Sequence, residues 1–232
     1  MNSNKLVLNT DKTHLLVMCS KSNHRKNGDF GITLNTGTEV IEPIPSEKLL
    51  GGYISSDFTW NNHIRDNQNS VFKTLVSRIN ALSKISNFCS FKTRKMIANG
   101  VVQSRLIYLI QLWGGCSNYL IRFLQILQKR EARIVTKLNW FTPVRTLLLQ
   151  CGWLSVHQLV HYHSLVLAYK IRLEKTPLYF DDKFNTQFCR VTRLATEGGI
   201  RKNVTNKLTL GRNSFIPRTV DAWNQLPSDQ AG

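Results

Sequence analysis

Residues 119–138 read YLIRFLQILQKREARIVTKL, and this stretch decides the fold. Apolar side chains recur in it every three or four residues, as on one face of an amphipathic helix: Leu120, Phe123, Leu124, Leu127, Ile134 and Leu138. A helix this long must cover its apolar face with other elements. The stretch therefore predicts a bundle of helices around residues 119–138.

Basic side chains form a second stripe on the same predicted helix. Lys129, Arg133 and Lys137 recur four residues apart, and Arg130 lies beside them. Like charges at this spacing repel and weaken an isolated helix. Phosphate groups would neutralise them, and each phosphate contact would release counterions. A solvated face of loose Lys and Arg side chains would give the same pattern, so the stripe alone leaves both interpretations open.

The charge of the whole chain favours the binding interpretation. The 232 residues contain 31 Lys and Arg against 14 Asp and Glu, a net charge of +17. Such a surplus indicates an anionic polymer as partner. A smaller cluster, Lys92, Arg94 and Lys95, falls at the start of a predicted helix, where the helix dipole also favours anions. We therefore predict that RNA or DNA binds to these three cations and to the four of the stripe.

The remaining composition argues against a membrane protein. The most apolar stretch, Leu106–Trp113, is far shorter than the ~20 residues that cross a bilayer, and the N-terminus shows no signal-peptide pattern. The cysteines are odd in number, widely spaced and without a CxxC pair: Cys19, Cys89, Cys116, Cys151 and Cys189. This spacing is typical of reduced thiols. We predict an intracellular protein with no membrane association and no small-molecule substrate.

The first fifty-odd residues predict short strands. His14–Met18 is a compact apolar run, and Phe30–Leu34 and Thr38–Ile41 flank a hairpin connection at Asn35–Gly37. Leu49–Ile54 reads as one further strand, in which two glycines would permit a bulge. These runs are too few for a large sheet, so we expect only a small antiparallel element.

From Trp60 onwards the apolar period is helical. One long helix is predicted by the spacing of Ile64, Val71, Leu75, Ile79 and Leu82. Later helices are bounded by capping and stop signals: Ser90 to Trp113, Thr142 and Pro143 to Gly152, and Ser155 to Glu174. After Pro177 the pattern weakens into a basic, irregular tail, with a last short helix near Val220–Trp223. Four tryptophans before this tail could stack on nucleic-acid bases, but they lie among apolar residues, so we expect them in the core: Trp60, Trp113, Trp140 and Trp153.

Three histidines on one predicted helix, His157, His161 and His163, lie near Cys151 and are candidates for a zinc site. His157 and His161 share a helix face at a spacing that can hold zinc, near Cys151. A structural site needs four ligands, however, and Cys189 is the only remote candidate. No Glu lies between the two histidines to act as a general base. We predict no metal site, and a zinc-dependent helical protein stays the weaker alternative.

A series of short motifs follows one order along the chain. The motifs are Leu8–Thr13 with Leu15–Val17, Lys48–Gly51, Phe58–Ile64, Leu106–Gly114, Leu127–Arg133, Thr142–Leu154 with Tyr169–Lys170, and Ala222–Pro227. In this order and spacing they resemble the reverse transcriptases of non-LTR (LINE-like) retrotransposons of the jockey and related types. In that family such motifs run from the end of the palm through the thumb and into the region that follows it.

The resemblance implies an α+β fold in three regions. Residual palm strands would occupy residues 1–56, a helical thumb-like region 57–176, and a basic C-terminal tail 177–232. The parent enzyme would be an RNA-directed DNA polymerase that uses Mg²⁺ and deoxynucleotides. Its catalytic carboxylates would precede Asn9, so we expect no catalytic residue, no cofactor and no activity in this chain alone. What would remain is the surface that binds the template–primer duplex. The alternative is a non-enzymatic nucleic-acid-binding protein derived from such an element.

One tetrapeptide could contradict that expectation. Tyr179-Phe180-Asp181-Asp182 matches the Y-x-D-D pattern with which reverse transcriptases hold metal. Two-metal catalysis needs carboxylates that converge on ions about 3.5–4 Å apart, and in that family the pair lies at a hairpin tip between apolar strands. Here it follows a predicted helix and Pro177, without a strand on either side, and it falls after the thumb-like motifs. We interpret it as a chance match.

Overall fold

The chain forms two compact units, Met1–Ser70 and Val71–Gly232. A computed structural model describes residues 9–20, 23, 31–37, 39–173, 175–177, 179–180, 184, 199–200 and 209–226. In these residues helices are combined with small antiparallel sheets, which confirms an α+β chain. The division after Ser70 lies later than the predicted boundary after residue 56, and the second unit includes the predicted tail 177–232.

The first unit contains the predicted hairpin in a shorter form. Strand β1 (Leu34–Asn35) pairs antiparallel with β2 (Val40–Ile41), in the register Leu34 to Ile41. Asn35 belongs to the strand and not to the turn, and its Oδ1 accepts a hydrogen bond from the Gly37 N–H at 2.8 Å. Gly37 has a φ of 86°, which glycine adopts without steric cost. The hairpin is therefore confirmed, and its last described pair before the turn is Asn35 with Val40.

The prediction of a single strand over Leu49–Ile54 was wrong. The segment is the turn and one side of a second hairpin, in which β3 (Ser46–Leu49) pairs with β4 (Gly52–Ser55). Leu50 and Gly51 connect the strands with φ values of 48° and 80°. A two-residue type I′ turn requires positive φ at both central residues. Gly51 therefore supplies the left-handed conformation of a tight turn, where a bulge was expected.

The predicted strand at His14–Met18 is also wrong, because only Leu15 takes part in a bridge. Leu15 pairs with Pro43 in parallel, and its carbonyl accepts the Ile44 N–H at 2.8 Å. Further along, the Cys19 N–H donates to the Ser56 carbonyl at 2.9 Å. The run is extended and held at two points, without a continuous ladder to a neighbouring strand.

The long helix predicted from Trp60 to Leu82 is two elements. A π-helical turn at Asn62–Asp66 ends at Asn67, whose ψ of 153° takes the chain out of the helix. The Asn67 side chain then accepts the Asn69 N–H at 2.9 Å. A side chain that binds the backbone two residues on competes with helix formation. This local turn explains the interruption that the apolar period did not reveal.

The described helices of the second unit are nine in number. They are α1 (Val71–Ile85), α2 (Phe91–Ala98), α3 (Ser104–Ile107), α4 (Ile110–Trp113), α5 (Asn118–Thr136), α6 (Val144–Cys151), α7 (Val156–Arg172), α8 (Thr209–Asn213) and α9 (Phe215–Trp223). A 3₁₀ turn, Ser86–Phe88, follows α1, and a π turn, Asn99–Gln103, joins α2 to α3. Helix α5 is central, since it packs against α1, α2, α6 and α7.

Helix boundaries follow the predicted signals closely. Ser90 Oγ accepts the Thr93 N–H at 3.3 Å and caps α2, and Ser155 forms a capping box with Gln158 at the start of α7. Gly152 ends α6 with a φ of 66°. Helix α6 starts at Val144, one position later than predicted, with Pro143 in an extended conformation before it. These signals act within a few residues, which is why the sequence alone reveals them.

The second predicted helix, from Ser90 to Trp113, is interrupted twice. The path from Phe91 to Ile107 passes through the π turn, and Leu109 then takes a left-handed φ of 57° before α4. Trp113 is fully buried, as expected, and its indole N–H donates to the Tyr108 carbonyl at 2.9 Å. The break at Leu109 directs this tryptophan inwards from a separate short helix.

Two apolar clusters form the described core of the second unit. The first surrounds α5 and α6: Leu82, Ala98, Ala132, Val135, Leu147, Leu148 and Cys151. The second joins α7 to α9: Ala168, Ile171, Phe184, Ile200, Val220 and Trp223. Burial of each larger apolar side chain contributes about 1.5–3 kcal/mol. The described residues 209–226 are therefore helical and packed, whereas an irregular tail was predicted, and α9 begins at Phe215, earlier than the predicted Val220.

Candidate nucleic-acid interface

Helix α5 carries most of the predicted binding residues. It spans Asn118–Thr136, so its apolar face ends before Leu138. The buried positions of the predicted stripe are Leu120, Leu124 and Leu127. The basic stripe lies beside them on the helix, and one of its members, Arg130, reaches α1.

Two of the stripe's arginines are held by neutral groups of the chain. Arg130 Nη2 donates to the Asn80 Oδ1 on α1 at 2.8 Å. Arg133 Nη2 donates to the Trp140 carbonyl at 2.7 Å, and its guanidinium carbon lies 4.3 Å from the centroid of the Trp140 ring. Lys129 makes no hydrogen bond or ion pair with the described part of the chain. Of these three residues, Lys129 has its charge most available to a ligand.

Lys137 does not belong to the helical stripe. It is the residue after α5 and takes a left-handed φ of 58°. Its Nζ donates to the Ser86 Oγ at 2.8 Å and to the Asn87 Oδ1 at 2.6 Å. Lys137 therefore ties the end of α5 to the turn after α1, while its ammonium stays at the exposed surface.

The second predicted cluster, on α2, divides in the same way. Arg94 Nε donates to the Val135 carbonyl at 2.8 Å, and its Nη1 donates to the carbonyls of Ser86 and Cys89. Lys95 lies next to the end of α6, where the helix dipole favours a cation. Its Nζ approaches Gly152 and lies 3.4 Å from the position that a Cβ atom on this glycine would occupy. Lys92 is exposed and has no hydrogen-bond partner among the described residues.

The fold brings one residue of each predicted cluster to the same end of α5. Arg94 on α2 bonds to the last turn of α5, and Lys137 bonds to the turn that precedes α2. The sequence predicted each cluster separately and did not indicate this proximity.

A single acidic residue lies within this helical region, and it is buried. From Val71 to Arg172 the chain has fifteen Lys and Arg and only Glu131 as an acid. The Glu131 Oε2 accepts a hydrogen bond from Gln103 Nε2 at 2.8 Å. Burial raises the pKa of Glu131 to about 9, although this hydrogen bond lowers it. Glu131 is therefore uncharged near pH 7, and this part of the chain carries no negative side chain to oppose a phosphate.

The prediction of a core position for Trp140 was wrong. Its side chain is 72% exposed, and that of the neighbouring Phe141 is 88% exposed. The Thr142 N–H donates to the Asn139 carbonyl at 3.1 Å, which closes a turn with both aromatic residues at its centre. Asn and Thr-Pro around an aromatic pair are turn signals, and they were the indication in the sequence that these rings lie outside the core.

The histidine and cysteine candidates for zinc do not converge in the described region. His157 and His161 have ring centroids 4.7 Å apart, but Cys151 belongs to the apolar cluster around α5. Burial raises the pKa of the Cys151 thiol to about 11, and burial together with His157 and Arg218 lowers the pKa of His161. Among the described residues, no group of three His, Cys, Asp or Glu side chains could hold a metal. Cys189 lies outside them.

The tetrapeptide with two aspartates is described only in its first half. The Phe180 N–H donates to the Pro177 carbonyl at 3.1 Å, and the Phe184 N–H donates to the Phe180 carbonyl at 3.1 Å. Tyr179 and Phe180 therefore lie in a helical turn after α7, and Phe180 packs against the core between α7 and α9. Asp181 and Asp182 lie outside the described residues.

No protein-family model, no curated protein and no solved structure matches this chain. Within the described ranges, no helix has the length and apolar character needed to cross a bilayer.

Proposed function

We propose that this chain binds RNA or DNA through its second unit, like the template–primer-binding part of a non-LTR retrotransposon reverse transcriptase, and does not itself polymerise. The observation that carries the proposal is the charge of the helical region. Between Val71 and Arg172 the chain has fifteen Lys and Arg and a single acid, Glu131, which is protonated near neutral pH. Cations without carboxylate neighbours attract phosphates, and on binding they release the counterions that the nucleic acid carried.

The available lysines give the first test. A Lys92→Gln/Lys129→Gln variant should weaken binding to duplex and single strands of any sequence. Each phosphate contact adds about 0.9 to the slope of log affinity against log salt for duplex DNA. We expect the slope to become shallower by up to about two in the variant. The measurement is fluorescence anisotropy with labelled oligonucleotides over a salt series.

The choice of lysines excludes a trivial explanation of that result. Lys92 and Lys129 make no hydrogen bond with the described chain, so their removal should leave the fold intact. A Lys12→Gln/Lys48→Gln variant removes the same charge from the first unit and serves as the control. Equal salt slopes for both variants would assign binding to net charge alone. Absence of binding by the unmodified chain at low salt would refute the proposal.

The purified chain should not incorporate deoxynucleotides on a primed RNA template with Mg²⁺. The basis is the position of Tyr179 and Phe180 in a helical turn, where a polymerase hairpin would place a strand. A radiolabelled primer-extension assay, with an intact reverse transcriptase as positive control, measures this. Incorporation that disappears in an Asp181→Ala variant would overturn the prediction. A non-enzymatic protein derived from such an element would bind nucleic acid equally well and share this negative result.

A further inference from the structure

Three exposed aromatic rings lie near one end of α5. Phe88 is 90% exposed, and Trp140 and Phe141 are the exposed pair in the turn after this helix. We call Phe88, Trp140 and Phe141 the aromatic cluster. Single exposed apolar side chains are common on protein surfaces. Here three large exposed rings lie on two segments that hydrogen bonds hold together, and this arrangement needs a different explanation.

Hydrogen bonds hold both segments at the same place. Lys137 Nζ donates to Asn87, the residue before Phe88, and Arg94 Nη1 donates to the carbonyl of Cys89, the residue after it. Arg94 also bonds to Val135 in the last turn of α5. The backbone around Phe88 is thus fixed to the end of the helix from which the turn with Trp140 and Phe141 departs.

The turn itself is held in one conformation. The hydrogen bond from Thr142 to Asn139 closes it, and Arg133 both donates to the Trp140 carbonyl and stacks on the Trp140 ring. An indole has two faces, and Arg133 covers one. The exposure of Trp140 leaves the other open to solvent. A ring that is fixed before a ligand arrives loses little conformational entropy on binding.

The chemistry around the cluster specifies its ligand. Arg133 stacks on Trp140, and Lys137 bonds to Asn87 beside Phe88. The only acid between Val71 and Arg172 is buried and uncharged near pH 7. Nucleic-acid bases stack on aromatic rings only where they are unpaired, since duplex bases are covered on both faces. Proteins that bind single strands combine such rings with cations along the backbone.

We propose that the aromatic cluster binds unpaired nucleotides of RNA or DNA by stacking, while the neighbouring cations hold their phosphates. This inference rests on the proposed function and adds to it. It assigns a single-stranded segment to the end of α5, at a tryptophan that the sequence analysis expected in the core.

Substitution of Trp140 tests the stacking. A base–aromatic contact contributes about 1–3 kcal/mol, so Trp140→Ala should weaken binding to an oligothymidine of about ten nucleotides roughly tenfold. Trp140→Phe should retain most of the affinity, because phenylalanine also stacks. Ile126→Ala truncates an exposed apolar side chain on α5, outside the aromatic cluster; it is the matched control and should change nothing. Circular dichroism and thermal unfolding verify that each variant is folded.

An abasic oligonucleotide of the same length separates stacking from charge. The unmodified chain should bind it no more tightly than Trp140→Ala binds oligothymidine, because no ring has a base to stack on. The effect of Trp140→Ala should vanish on this probe. Equal weakening on both probes, or unchanged binding of oligothymidine, would overturn the inference while the proposed function stands. Loss of self-association with unchanged oligonucleotide affinity would also overturn it and make the cluster a protein interface. Failure of every probe to bind the unmodified chain at low salt would overturn both proposals.

Discussion

A Glu131→Gln variant is expected to gain stability over the unmodified chain as the pH rises from about 5 to 9. The Glu131 side chain is fully buried on α5. Its Oε2 accepts one hydrogen bond from Gln103, and its Oε1 is buried without a partner. An ionised carboxylate in these surroundings would lose its hydration without compensation. The group therefore keeps its proton, and burial raises its pKa to about 9.

The sign of the pH effect follows from proton binding. The pKa of Glu131 rises from 4.5 to about 9 on folding, so between these values the folded chain holds a proton that the unfolded chain has released. The buried, protonated Glu131 contributes stability that is fully present below pH 4.5. This stability decreases as the pH rises and is gone once the pH has passed the folded-state pKa of about 9. The loss is about 1.4 kcal/mol per pH unit. Glutamine does not titrate and escapes this loss.

Chemical denaturation of both proteins at several pH values measures the effect. The difference between the two free energies of unfolding cancels the contribution of every other titrating group. It should increase by several kcal/mol over the range, which is a large part of the ~5–15 kcal/mol that stabilises a typical domain. A difference that stays constant with pH would show that Glu131 is ionised in the folded chain.

Replacement of Arg94 by methionine should destabilise the second unit by about 3 kcal/mol or more, with no nucleic acid present. The Arg94 guanidinium donates to the carbonyls of Val135, Ser86 and Cys89. Hydrogen bonds to a charged group contribute about 1.5–3 kcal/mol each, and removal of the donor leaves carbonyls without partners. The Val135 carbonyl lies in the last turn of α5, where the helix itself supplies no donor.

Two further variants make the result specific. Lys92→Met removes the same charge from an exposed neighbouring position and should change stability by less than about 0.5 kcal/mol. Arg94→Lys should restore little, because one ammonium group cannot reproduce the planar fork of donors of a guanidinium. Urea unfolding monitored by circular dichroism distinguishes the three. Equal stability of Arg94→Met and Lys92→Met would show that Arg94 does not hold the fold and is as available to phosphates as Lys92.

Local chemistry explains what the sequence could predict. Ser90, Ser155 and Gly152 act on backbone groups within a few residues, and the structure confirms each as a helix boundary. The apolar period from Val71 to Leu82 is likewise confirmed, because one helix face determines burial. The resemblance to reverse transcriptases stays a prediction, as does the binding of nucleic acid.

Contacts between distant segments explain what the sequence could not predict. Arg94 and Val135 are 41 residues apart, and Lys137 and Asn87 are 50 apart. A cation that holds the fold looks the same in sequence as one that awaits a phosphate. The burial of Glu131 likewise has no local signal, because its hydrogen-bond partner Gln103 is 28 residues away in the chain. The exposure of Trp140 depends on the turn that the Thr142–Asn139 hydrogen bond closes, and this turn outweighs the apolar character of its aromatic residues.

The π turn at Asn99–Gln103 is a place where the chain can change its length by one residue. Its hydrogen bonds span one residue more than those of an α-helix, so it holds one residue more per turn. Loss of that residue would restore a regular helix and leave α2 and α3 in nearly the same relative orientation. Arg94 would still face the end of α5. Descendants of this sequence should therefore tolerate a one-residue deletion here far better than in the middle of α5, where a deletion would turn the rest of the helix by about 100°.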